Sequence, residues 1–182
     1  MEKHKKKTTA KNNHSKRAAQ LGLLAAAALI LGWVEHILPV NGAVPGIKLG
    51  LSNSAVVFAL YTMGGVNALL LVLVKVVLSA LLFGGFSGFL YSLLGGLSSL
   101  AVMFALYKLP CFSPTGISAA GGAAHIFAQL LTGVVLTETA RLWVLLPPLM
   151  AAGTLTGALT GFLVCLVAKR LPRGLAEGIP LG

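Results

Sequence analysis

Aspartate is absent from all 182 residues, and the only acids are Glu2, Glu35, Glu138 and Glu177. That excludes chemistry built on paired or clustered aspartates and leaves few carboxylates for any other. Charge of either sign is scarce, at 10% of residues against about 25% in a soluble domain. Hydrophobic residues reach 57%, with a mean hydropathy of +0.90, more than one small core can bury. The composition excludes a soluble enzyme and indicates a small polytopic membrane protein. The motifs of phosphate loops, nucleophile elbows and zinc-protease helices are missing too. A metal site would have to draw on His36, His125 and scattered glutamates without ligand spacing, so no metal and no cofactor are expected. Cysteines number two, Cys111 and Cys165, and both fall near the cytoplasmic side of the topology below, which argues against a disulfide.

What the chain does have is basic charge, +10 net, unevenly placed. Seven of the fourteen Lys and Arg lie in the first 17 residues, against Glu2 alone. Residues 1–17 read as a disordered cytoplasmic tail with some attraction to anionic lipid. No aromatic residues interleave with these bases, so nucleic acid is not the expected partner. The apolar run from Ala18 to Val34 is too long for a signal-peptide core, and Gly32-Trp33-Val34-Glu35 offers no cleavage site.

Six apolar spans are expected, at about 18–38, 47–62, 65–83, 86–108, 114–136 and 141–168. The second is short and polar at its start, which suggests a tilted, re-entrant or irregular path. Residues 18–171 form one transmembrane domain, and 172–182 a short cytoplasmic tail. With the N-terminus inside, Lys108, Lys169, Arg170 and Arg173 join the tail bases on the cytoplasmic side. Only Lys48 and Arg141 then lie outside, and Lys75 stays within the third span. Both termini are expected in the cytoplasm. Small residues recur every fourth position, as Gly84-Gly88-Ser92-Gly96, Gly116-Ala120-Ala124-Ala128 and Gly153-Gly157-Gly161, on faces suited to close helix packing.

Polar residues inside the spans are the functional candidates, because burying one charge in a bilayer costs at least ~2.5–3.5 kcal/mol. Lys75 lies roughly 12 Å below the outer edge of the apolar zone and Glu35 roughly 5 Å, so the two can pair. His125 and Gln129 share one face of the fifth span. His36, Asn41, Lys48 and Asn53 gather around the first outer loop. The concentration of polarity in the outer half suggests a cavity open to the outside. Lys48, Lys75 and His125 favour an anionic, zwitterionic or carbonyl-bearing ligand.

The segment Pro45-Gly46-Ile47-Lys48-Leu49-Gly50-Leu51-Ser52-Asn53 resembles the PGxKLGLxN block of the Gx transporter family, also called heptaprenyl diphosphate synthase component I. Phe83 through Gly96 resembles its second glycine-rich block. Gly122-Ala123-Ala124-His125 with Gln129 resembles its third, with Ile126 where the family has Asn and Ala128 where it has Gly. The family is similar to the substrate-binding S components of energy-coupling-factor transporters. That similarity implies six membrane helices in a prokaryotic cell membrane, a small-molecule ligand near the outer face, and partners consisting of a coupling membrane protein and two ATPases. It implies that Ala18, Gly22 and Ala26 on the first helix contact the coupling protein. It also implies that Lys48, Asn53, His125 and Gln129 contribute to binding. The expected function is therefore a substrate-binding subunit for ATP-driven uptake of a vitamin or a quinone or isoprenoid precursor. The alternative is a noncatalytic membrane subunit of a polyprenyl diphosphate synthase. Prenyl diphosphate synthesis holds Mg²⁺ on aspartate-rich segments, and this chain has no aspartate, so catalysis by it alone is not expected.

Overall fold

An apolar segment in hydrocarbon satisfies its own backbone only as a helix, and every regular element of this chain is helical among the described residues. The computed structural model describes residues 2–37, 50–171 and 178–180. In order they form α1 (Glu2–Ile37), α2 (Asn53–Met63), α3 (Gly65–Ser79), α4 (Gly85–Tyr107), α5 (Pro114–Thr137) and α6 (Leu146–Arg170). A π-helical turn, Ala80–Gly84, continues α3, and a 3-10 turn, Ala140–Leu145, precedes α6.

Five of these segments are long and apolar enough to cross a membrane: Arg17–Glu35, Gly65–Leu82, Gly85–Tyr107, Pro114–Thr137 and Ala140–Arg170. Six were expected. The difference is α2, whose 11 residues cover about 16 Å at 1.5 Å per residue, well short of the ~30 Å hydrocarbon core. Glycines bound it on both sides. Gly50 (φ 91°) turns the chain into α2, its carbonyl accepting the Asn53 N–H at 2.9 Å, and Gly64 (φ 85°) ends it. Residues 47–49 of the expected span lie outside the described residues. At the other end of the chain, α1 is helical from Glu2. Residues 1–17 contain no Gly or Pro to stop a helix begun in the membrane.

Although short, α2 lies inside the bundle. Val56, Val57, Ala59 and Leu60 pack with Leu71, Val72 and Val76 of α3, Met103 of α4 and Ile117 of α5. Gly178 and Ile179 fold back to the same end of the bundle, with Ile179 joining this core. The start of α5 is set by Ser113, whose Oγ accepts the Gly116 N–H at 3.2 Å, with Pro114 at the first helical position. Leu23, Val66, Leu81 and Leu155 project outward, as lipid-facing residues do.

Between α4 and α6, α5 packs backbone against backbone. The expected α6 ladder, Gly153-Gly157-Gly161, is buried. A Cβ on Gly122 would lie 2.1 Å from the Gly153 carbonyl oxygen, and one on Gly157 would lie 2.4 Å from that of Ser118. The Ser118 and Thr160 hydroxyls bond across this seam at 3.0 Å. The α5 ladder expected at Gly116, Ala120, Ala124 and Ala128 is not the packing face and stays half-exposed. Ala120 and Ala124 sit two positions from Gly122, about 200° around the helix. Spacing alone marks a face but not which neighbour it meets.

Gly122→Ala drives a methyl into the Gly153 carbonyl and is expected to lower the unfolding free energy by about 1–3 kcal/mol. Gly88→Ala on α4, whose Cβ meets nothing within 4 Å, is expected to leave the melting temperature in detergent unchanged or raised. Equal melting of the two variants would refute the close α5–α6 seam.

Candidate functional site

Four of the residues singled out by polarity come together where α1 ends, α2 begins, and α3 and α5 pass. Glu35 (2% exposed), Asn53 (6%), Lys75 (6%) and His125 (4%) are all buried. The Lys75 ammonium donates to Asn53 Oδ1 at 2.5 Å and to Ser52 Oγ at 3.1 Å. Asn53 Nδ2 lies 3.3 Å from His125 Nδ1. One Glu35 oxygen accepts the backbone N–H of Gly50. The left-handed turn at Gly50 therefore serves twice: it starts α2 and aims an N–H at the carboxylate.

These groups surround a chamber lined by Ala28, Gly32 and Glu35 of α1, Gly50 and Ser52, Lys75, Val76 and Ser79 of α3, Ser92 of α4 and His125 of α5. Its volume is about 20 Å³, room for a single water. Glu35 and Lys75 were expected to pair. Both line the chamber, where Gly50 donates to the carboxylate and Asn53 and Ser52 accept from the ammonium.

Gln129 is fully buried one turn beyond His125, yet it does not line the chamber. Both side chains rest on Gly95 of α4, where an added Cβ would lie 2.9 Å from Gln129 Cγ and 2.9 Å from His125 Cε1. Lys48 and Asn41 fall outside the described residues. Ala18, Gly22 and Ala26 are exposed on α1, with Gly22 bordering a shallow groove toward Leu70, Leu71 and Val74 of α3. Among the described residues, no three His, Cys, Asp or Glu side chains gather as a metal centre would require.

Sequence reasoning missed Ser52, Gly50, Ser79 and Gly95 as site residues. The first two stand inside the glycine-rich block that contains Asn53, so their proximity was a usable signal. Gly95 had none, because its neighbour Gly96 carried the four-residue period.

The fold and site together define a multi-pass helical membrane protein that encloses a small chamber lined by charged and polar groups. Its sequence places it further. A profile of the family described as heptaprenyl diphosphate synthase component I matches residues 24–167, most of the chain, and the protein belongs to that family. No curated protein and no solved structure matches it.

The electrostatic link between Glu35 and Lys75 is open to a double-mutant cycle. Lys75→Met is expected to lower stability in detergent by about 1–3 kcal/mol, and by less when Glu35→Gln is present, because the carboxylate no longer lacks its countercharge. Strict additivity of the two losses would show that the charges do not interact.

Proposed function

We propose that this chain is a noncatalytic, substrate-binding membrane subunit for uptake of a small organic molecule, resembling the S components of energy-coupling-factor transporters. The observation that carries this reading is the Lys75 ammonium, buried in the bundle and hydrogen-bonded to Asn53 and Ser52 beside Glu35 and His125. Intramembrane charge is retained where it serves a ligand or an ion path. A chamber with a cation, a carboxylate and an imidazole suits a ligand with a carboxylate or carbonyl at one end and a donor at the other. Lys48, in the family block before Gly50, and Gln129, behind His125, complete the proposed binding set.

Six crossings belong to this reading, and what supports the sixth is that α2 starts at the chamber and that Tyr61 near its end packs edge-on against Tyr107 at the end of α4, with ring centroids 5.0 Å apart. On this reading both termini lie in the cytoplasm of a prokaryotic cell, a placement that the excess of Lys and Arg on that side supports. In this reading a separate ATPase pair supplies the energy through a coupling membrane protein, in keeping with a sequence that holds no phosphate loop. The exposed small residues Ala18, Gly22 and Ala26 offer that protein a face for close helix approach.

The family's description favours a second reading, a noncatalytic membrane subunit beside a polyprenyl diphosphate synthase. Affinity purification of the tagged full chain from its own membranes separates the two. Recovery of a membrane protein with two ATPases is expected, and recovery of a soluble prenyl synthase instead would sink the transport reading. Native mass spectrometry should also find a small organic molecule retained on the wild-type chain and lost from Lys75→Met.

A further inference from the structure

Midway along their length α3 and α4 are in close contact, for a Cβ on Gly96 would lie 3.0 Å from Val72 Cγ1. Away from the chamber, where α3 begins and α4 finishes, a groove of about 560 Å³ opens between them. Gly65, Val66 and Leu69 of α3 and Leu97, Ala101 and Phe104 of α4 line it, and no lining group is polar. Both helices are long and apolar enough to cross a membrane, and Val66, Leu69 and Phe104 are exposed, so in a bilayer the groove opens onto hydrocarbon.

This apolar groove has one charged end. Phe104 lies across Gly65, where an added Cβ would come 2.6 Å from the ring, and the Lys108 ammonium stands 4.6 Å from the centroid of that ring. The aromatic face attracts the cation and holds it at the mouth. Lys108 is itself exposed, so its charge meets water or lipid headgroups there. No carboxylate of residues 50–171 competes for it: the one acid in that stretch is Glu138, beyond the opposite end of α5. Lys169 and Arg170, in the last turn of α6, add to the positive charge of the same end.

We infer that the groove between α3 and α4 is a binding site for an anionic phospholipid, with one acyl chain along the groove and the headgroup phosphate paired with Lys108. The occupant follows from size and charge. A membrane helix, about 10 Å across, would fill the groove with roughly 7 Å of its length, little more than one turn, whereas a single alkyl chain is slim enough to lie along it. A second copy docked symmetrically on this face would set Lys108 toward Lys108, which an anion relieves and a like charge does not. A lysine is a compact point charge suited to phosphate. On the topology proposed above, the mouth faces the cytoplasmic leaflet, where anionic lipid gathers. The site needs only a membrane around the helices and does not rest on the transport reading.

The test is native mass spectrometry of the full chain, stripped of lipid in detergent and titrated with phosphatidylglycerol or with phosphatidylcholine of the same acyl chains. Wild type is expected to bind one phosphatidylglycerol about fivefold more tightly than phosphatidylcholine, the effect of one lysine near an anionic headgroup. Lys108→Gln should erase that preference and leave phosphatidylcholine binding unchanged, while Arg170→Gln, on α6 away from the groove, should keep it. Ala101→Phe and, from the other lip, Val66→Trp fill the groove from exposed positions. Each is expected to melt like wild type and to lose at least about fivefold in affinity for both lipids. Equal affinity of wild type for the two lipids would overturn the inference, as would loss of the preference in Arg170→Gln, or full retention of lipid by a folded groove variant. A dimer mass abolished by Ala101→Phe, in place of a lipid adduct, would overturn it too and assign the groove to a second copy. Co-purifying proteins do not enter this readout, so its failure and failure of the transport reading remain separate.

Discussion

One buried ammonium organises the chamber half of this protein. Lys75 sits on a helix surrounded by Val and Leu, where an unsolvated charge is worth at least ~2.5–3.5 kcal/mol of penalty. The start of α2 supports it there, presenting Ser52 and Asn53 as acceptors at 3.1 and 2.5 Å. That start depends on the left-handed turn at Gly50, whose N–H is bonded to Glu35. Removing any of the three would leave a charge short of partners in a medium that cannot replace them. The short second helix is therefore a structural consequence of solvating a lysine inside a bundle.

Glycine supports this arrangement in two distinct ways. At Gly50 and Gly64 it supplies backbone conformations that delimit α2. At Gly95, Gly122, Gly153 and Gly157 it supplies space, letting His125 lie on α4 and letting α5 touch α6 through backbone atoms. Lipid offers helices no hydrophobic reason to associate, so these contacts provide the dispersion and hydrogen bonding that hold the bundle. The Ser118–Thr160 bond is the polar counterpart of the same close approach, since hydroxyls on facing helices reach 3.0 Å only where backbones nearly meet.

Five long helices and their apolar character were legible because hydrocarbon thickness imposes a length that a window of residues reveals. Lys75, Glu35, Asn53 and His125 were legible for the complementary reason: polarity inside such a window is anomalous by itself. What escaped depends on neighbours. The α5 ladder at Gly116 and Ala120 matched the right period on the wrong face, because periodicity does not say which side a partner occupies. Gly95 looked like one more packing glycine until its place under His125 and Gln129 was known. The shortening of α2 was foreshadowed by its polar start, but its limits came from two positive-φ glycines that hydropathy does not register.

The small size of the chamber bears on how any ligand would be held. About 20 Å³ accommodates one water, so an organic molecule enters only by moving what already lines the space. The apolar walls pack against Ala28 and Val76, and the polar ones are held by bonds to Gly50, Ser52 and Asn53. On the binding reading, a ligand acceptor replaces Ser52 or Asn53 at Lys75, and a ligand donor competes with Gly50 for Glu35. Each exchange conserves the count of hydrogen bonds only if the ligand matches both polarities, because an unmatched buried group costs about 1–3 kcal/mol. Selectivity on that reading is a matter of matching: a molecule that separates Lys75 or Glu35 from a partner must offer a group of the same polarity in its place.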